Sequence, residues 1–145
     1  MNKLNVQECS NMLWEMHNVV TGFYNEYAKS VGLTLPSLKV LSILHREISC
    51  TQKYITQLTY LPKQTVNAII KGFNIQGLVT EPVESNSDKR NKNVSLTEEG
   101  KKYAEKIISK AQEAEYRALE KLGEERRTLM VEAIAFYTKS LSLEE

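Results

Sequence analysis

Histidine and cysteine are scarce in this chain, with two of each among 145 residues. His17 and His45 both fall in helical patterns, and neither stands at ligand spacing from a cysteine or carboxylate, so no metal site is expected. His17 is expected on a helix face, partly buried. The six glycines lie singly or at helix ends, which excludes a glycine-rich loop cradling phosphates. No apolar run approaches the ~18 residues needed to span a bilayer, and no basic-then-apolar leader opens the chain. A soluble, cytoplasmic protein without membrane attachment is the expectation, and a reducing compartment disfavours a disulfide. With no catalytic constellation and no implied cofactor, an enzyme is not expected.

A large net charge is also missing: 19 Lys and Arg oppose 18 Asp and Glu. The distribution is uneven, however. Between Ser37 and Thr97 eight cations (Lys39, Arg46, Lys53, Lys63, Lys71, Lys89, Arg90, Lys92) meet four acids (Glu47, Glu81, Glu84, Asp88), while the remainder carries 11 basic and 14 acidic residues. Three of the cations fall within four positions, as a local electrostatic footprint for an anionic polymer would.

That cluster opens the most informative run of the chain, Asp88-Lys89-Arg90-Asn91-Lys92-Asn93-Val94-Ser95-Leu96-Thr97-Glu98-Glu99-Gly100. A basic polar tip leads into a strand with Val94 and Leu96 on one face, then into a helix start capped by Thr97 with acids in its first turn. Taken alone, the run also fits an ordinary solvated hairpin. Upstream, Gln52 to Tyr60 reads as a short helix with Ile55 and Leu58 inward. Pro62 opens a second helix whose stripe is Val66, Ile69, Ile70 and Phe73. Its opposite face carries Gln64, Thr65, Asn67, Ala68 and Lys71, a small polar surface able to enter a major groove. Gly77 stops this helix, and Leu78 to Glu84 makes the first strand of the hairpin. Helix, turn, helix, strand, basic tip, strand is the order of a winged helix-turn-helix.

The rest is helical. A first helix from about Val6 to Lys29 places Met12, Leu13, Met16, Val19, Val20, Phe23 and Tyr27 at helical spacing. Gly32 ends it, and Thr34 and Pro36 start the next, with a stripe of Leu38, Leu41, Ile43 and Leu44. A long helix after Thr97 carries Tyr103, Ile107, Ile108, Ala111 and Leu119. Gly123 breaks it, and a last helix follows with Leu129, Met130, Ile134, Tyr137 and Leu141. The terminal helices are too apolar for a small winged domain to cover. Either two subunits pair through them about a two-fold axis, or they fold back within one chain.

Over nearly its whole length the chain resembles the MarR-type transcriptional regulators. The wing signature Asp-x-Arg followed by Val-x-Leu-Thr-x-x-Gly is present at Asp88, Arg90, Val94, Leu96, Thr97 and Gly100, and the Thr65-Val66 pair matches the start of the recognition helix. Three positions depart from the family pattern: Tyr60 replaces a common glycine, Thr59 a usual apolar residue, and Asn93 a frequent arginine. The resemblance implies a mainly α fold with a small β-hairpin wing, residues 1–145 forming one subunit. Residues 34–100 would be the DNA-binding winged helix-turn-helix and 97–122 a long connecting helix. Residues 1–32 and 123–145 would be dimerisation helices. The implied protein is a homodimeric repressor of double-stranded DNA operators with inverted repeats.

In this reading Thr65 and Asn67 reach base edges or nearby phosphates, Gln64 faces the groove, and Lys63 and Lys71 neutralise phosphate. Arg90 reaches the minor groove, oriented by Asp88, with Lys89 and Lys92 on the flanking backbone. Family members often release DNA on binding a small molecule; Trp14, His17, Tyr24, Leu38 and Tyr103 are the candidate effector pocket. Cys9 lies where peroxide-sensing members carry a reactive cysteine, although the matching position falls at Ser10, and Cys50 reads as a small packed residue. A redox-sensing regulator acting through Cys9 and a winged domain used only for protein interaction are the alternatives. The polar groove face argues against the second. Arg90→Ala is expected to weaken operator binding at least about tenfold while leaving the dimer intact. Near-wild-type affinity in a gel-shift titration would remove the minor-groove role.

Overall fold

The computed structural model describes residues 3–80 and 93–143. They form helices α1 (Val6–Ser30), α2 (Leu35–Arg46), α3 (Gln52–Thr59), α4 (Lys63–Ile75), α5 (Glu98–Leu122) and α6 (Glu124–Ser140). Three short strands accompany them: β1 (Cys50–Thr51), β2 (Val79–Thr80) and β3 (Asn93–Leu96). The chain divides into two compact units, Met1–Ile108 and Ser109–Glu145.

Local chemistry sets most boundaries of the first unit. Asn5 and Glu8 close a reciprocal cap on α1: the Glu8 N–H donates to Asn5 Oδ1 at 2.9 Å, and the Asn5 N–H donates to Glu8 Oε2 at 2.8 Å. Thr34 caps α2 through the Ser37 N–H, and Thr51 caps α3 through the Tyr54 N–H. The α3–α4 turn passes through Tyr60 in the left-handed region, at φ 56° and ψ 19°. At its end, α4 stops at Gly77, whose φ of 72° is one that side chains rarely tolerate.

The helix-turn-helix core is built from Val40, Leu41, Ile55, Val66 and Ile70, all fully buried, with Leu38, Leu44 and Phe73 around them. The expected stripe of α4 is present, with Ile69 half-buried at its margin. In α2 the stripe gains Val40, and Ile43 is half-buried. On α3 the inward face is Gln52, Ile55 and Thr59 rather than Ile55 and Leu58, and Leu58 is 42% exposed. The helix is eight residues long, and the i, i+3, i+7 positions counted from its first residue meet the core. Thr59 satisfies its hydroxyl there by donating to the Ile55 carbonyl at 2.7 Å.

The sheet is three-stranded and antiparallel, in the order β1-β3-β2. Cys50 stands opposite Val94, and Val79 opposite Leu96. Val94 and Leu96 are buried while Asn93 is exposed, the alternation expected of a strand with one face on the core. Strand β1 was not anticipated; it turns the root of the hairpin into a sheet joined to the start of α3.

One junction locks these parts together. Thr97 accepts from the Gly100 N–H at 2.9 Å, capping α5, and its hydroxyl donates to the Gly77 carbonyl at 2.7 Å. Its own N–H donates to the Leu78 carbonyl at 3.0 Å. Gly100 is buried against the same carbonyl; a β-carbon there would sit 1.9 Å from the Leu78 oxygen. On α1, Tyr27 donates its hydroxyl to the Ile107 carbonyl.

In the second unit, α5 continues to Leu122, Gly123 turns the chain at φ 77°, and α6 follows with none of its residues buried.

Gly100→Ala is expected to cost about 2–4 kcal/mol, because the added carbon meets backbone that cannot yield. Gly72→Ala, where nothing lies within 4 Å, is expected to gain about 0.5–1 kcal/mol as a helix-interior replacement. Urea unfolding of both variants checks the pair, and equal midpoints would refute the close-approach account.

Candidate nucleic-acid interface

Helix α4 is presented by its own stripe. With Val66, Ile70 and Phe73 buried, the 3.6-residue repeat turns Lys63, Gln64, Ala68 and Lys71 to solvent, and all four are exposed. Thr65 and Asn67 lie at the edge of this surface, half-buried. The structure therefore brings together on one face the five α4 residues singled out from sequence: Lys63, Gln64, Thr65, Asn67 and Lys71. No acidic residue occurs in the helix, and no side chain caps its N-terminus, which begins after Pro62. Backbone N–H groups at such an end favour an anion.

Between the start of α2 and this face lies an open depression of about 870 Å³, bordered by Thr34, Pro36, Ser37, Gln64, Thr65 and Gly72. A second, of about 690 Å³, lies between the end of α2 and the start of α5, bordered by Arg46, Ile48, Lys101, Lys102 and Lys106. Beside the second, His45 Nε2 stands 2.6 Å from Glu105 Oε2. Arg46 pairs with Glu47 at 3.1 Å, and Tyr54 donates its hydroxyl to the same carboxylate oxygen.

The four hairpin-tip residues named from sequence, Asp88, Lys89, Arg90 and Lys92, lie outside the described residues. The five candidate effector residues are dispersed in character. Trp14 and His17 are exposed on α1 and stack on each other, with centroids 6.3 Å apart and planes at 29°. Tyr24 and Tyr103 are half-buried, and Leu38 is part of the core at 5% exposure. His17 was expected partly buried; along this stretch of α1 the chain leaves every side chain exposed. Among the described residues no group of His, Cys, Asp and Glu could hold a metal ion.

Sequence reasoning missed two features of the winged unit. Tyr60 was visible as an unusual residue for the turn, but its left-handed backbone and 92% exposure were not. Strand β1 carried no signal, because two residues cannot show a period.

The family model for the MarR family matches residues 31–91, the stretch from just before α2 through α4 and beyond. A MarR family regulator from Neisseria meningitidis is 30% identical, with 89% of this chain and 90% of that one superposed at a TM-score of 0.78. This chain belongs to the MarR family. It is accordingly a transcription regulator with the winged-helix fold. The organic hydroperoxide resistance transcriptional regulator of Bacillus subtilis strain 168 is 29% identical over 106 residues, 73% of this chain and 71% of that protein. A Staphylococcus aureus MarR, solved in complex with salicylate and kanamycin, shares the fold at a TM-score of 0.72 and 18% identity, with 93% of each chain covered. Among the described residues of this MarR-family chain, no helix is long and apolar enough to cross a membrane.

The two cysteines differ. Cys50 is buried in β1, and loss of hydration pushes its thiol up, reinforced by the Glu47 charge and opposed by Arg46. Cys9 is half-buried on α1. A raised thiol pKa leaves little thiolate near neutrality, so Cys50 should be inert. In a Cys9→Ser variant, a thiol-reactive disulfide reagent at mildly alkaline pH is expected to modify Cys50 only after urea is added. Fast labelling of the folded protein would contradict the packed role.

Proposed function

We propose that this chain is a homodimeric repressor that binds an inverted-repeat operator in double-stranded DNA. The observation that carries the reading is the exposed face of α4. It combines two cations with amide and hydroxyl side chains, carries no acid, and stands on a buried stripe that fixes its direction. Thr65 and Asn67 are assigned to base edges or adjacent phosphates, Gln64 to the groove, and Lys63 and Lys71 to the backbone. From the wing, Arg90 is assigned to the minor groove with Asp88 orienting it, and Lys89 and Lys92 to phosphates.

Dimerisation is supported by apolar surface on the terminal helices. Leu13, Met16, Val19, Val20 and Phe23 on α1 are 42–72% exposed, and Leu129, Ile134 and Phe136 on α6, with Leu141 just past its end, are 49–77% exposed. Apolar surface of this extent on each of the two helices needs cover in water. Two recognition helices related by a two-fold axis then read half-sites about one helical turn apart.

Control of binding has two readings. The S. aureus MarR solved with salicylate and kanamycin motivates a small-molecule effector, with Trp14, His17, Tyr24, Leu38 and Tyr103 as candidate contacts. Similarity to the hydroperoxide resistance regulator motivates oxidation at half-buried Cys9 instead. Cys9→Ser separates them, since it abolishes release by an organic hydroperoxide and leaves release by an effector intact.

Selection from a random duplex pool at near-physiological salt tests the main reading. An inverted repeat should be enriched, bound by a species of twice the chain mass, with affinity falling steeply as salt rises. Weak binding without any enriched sequence, at every salt concentration, would sink it.

A further inference from the structure

We infer that Tyr60 is a contact to the DNA backbone that positions the recognition helix on its half-site. The inference rests on the DNA-binding reading above and extends it to a residue outside the α4 face. Two observations meet at this residue. Its backbone lies in the left-handed region, where a β-carbon crowds the neighbouring carbonyl and glycine or asparagine is the low-cost choice. Its side chain is 92% exposed, so the ring gains almost no packing within the chain to offset that strain. A bulky aromatic group held both strained and solvated is unfavourable in the free protein, and residues of this kind cluster where another molecule is engaged.

The turn around it is well fixed. The Tyr60 N–H donates to the Thr56 carbonyl at 3.0 Å, and the Thr59 hydroxyl donates to the Ile55 carbonyl at 2.7 Å, with the Leu61 N–H donating to that hydroxyl at 3.4 Å. The backbone that carries the ring is thus held in place, three positions before Lys63 and five before Thr65. A phenol there is suited to a sugar-phosphate chain: its ring packs on deoxyribose, and its O–H donates to a phosphate oxygen. Such a contact fixes register without reading sequence, so its loss should weaken binding to every duplex alike.

The test compares wild type, Tyr60→Gly and Tyr60→Phe at equal protein concentration. Affinity is measured on the selected operator and on an unrelated duplex, and thermal midpoints are measured without DNA. Tyr60→Gly should raise the operator Kd about fivefold to tenfold, with a similar factor on the unrelated duplex and an unchanged selected consensus. The same substitution should raise the midpoint by about 2–4 °C, because it relieves the strained backbone. Tyr60→Phe should keep the wild-type midpoint and lose part of the affinity. Opposite signs in stability and binding are what a merely structural turn residue would not give. Wild-type affinity in Tyr60→Gly, or weaker binding accompanied by a lowered midpoint, would overturn the inference while leaving the operator reading standing. Failure of the wild type itself to select any duplex would overturn that reading, and this inference with it.

Discussion

The contact between Thr97, Gly100 and the Gly77–Leu78 backbone is the constraint on which the winged unit depends. Three elements arrive there: the end of α4, the start of β2 and the start of α5. Each brings backbone groups that would be left without partners if the others moved. Thr97 serves Gly77 and Gly100 with one hydroxyl, and Leu78 offers its carbonyl to the Thr97 N–H. Only a residue without a β-carbon lets α5 come this near to Leu78. The Leu-Thr-x-x-Gly stretch is therefore a piece of geometry before it is a family mark: Leu96 fills the core, Thr97 joins two elements, and Gly100 makes room.

The helices were largely legible because their signals repeat. Val66, Ile70 and Phe73 announce a buried face over several turns, and Thr34, Pro36 and Gly77 mark where helices begin or stop. Where few residues carry the pattern, the reading weakened. Helix α3 offers two turns, and Leu58 looked as good an inward residue as Ile55 until the true face, Gln52, Ile55 and Thr59, was seen. Strand β1 has two residues and no period, so its pairing with β3 came only from tertiary structure. The exposure of Lys63, Gln64 and Lys71 on α4 could be anticipated because an inward stripe dictates an outward one. The effector candidates were aromatic or apolar residues at helical spacing, a pattern that core and pocket share, and of the five Leu38 lies in the core cluster.

Charge distribution carried more than net charge did. The chain's formal charge of +1 says nothing by itself about where cations gather. Its surplus is instead gathered into the segment that holds α4 and the hairpin, while α4 itself is free of acids. Field strength at a surface follows such local arrangement.

The pairing of Cys50 with Val94 joins residues 44 positions apart. Helices α2, α3 and α4, by contrast, meet through neighbours in sequence. Loop-closure entropy makes distant pairings the slow part of folding, so the helices are expected to gather first and the sheet to close after them. During synthesis β1 must wait for residue 94 to emerge before it has a partner. The strand that fastens the hairpin root to α3 is thus completed only after residue 94 has emerged, later than the helices on either side of it.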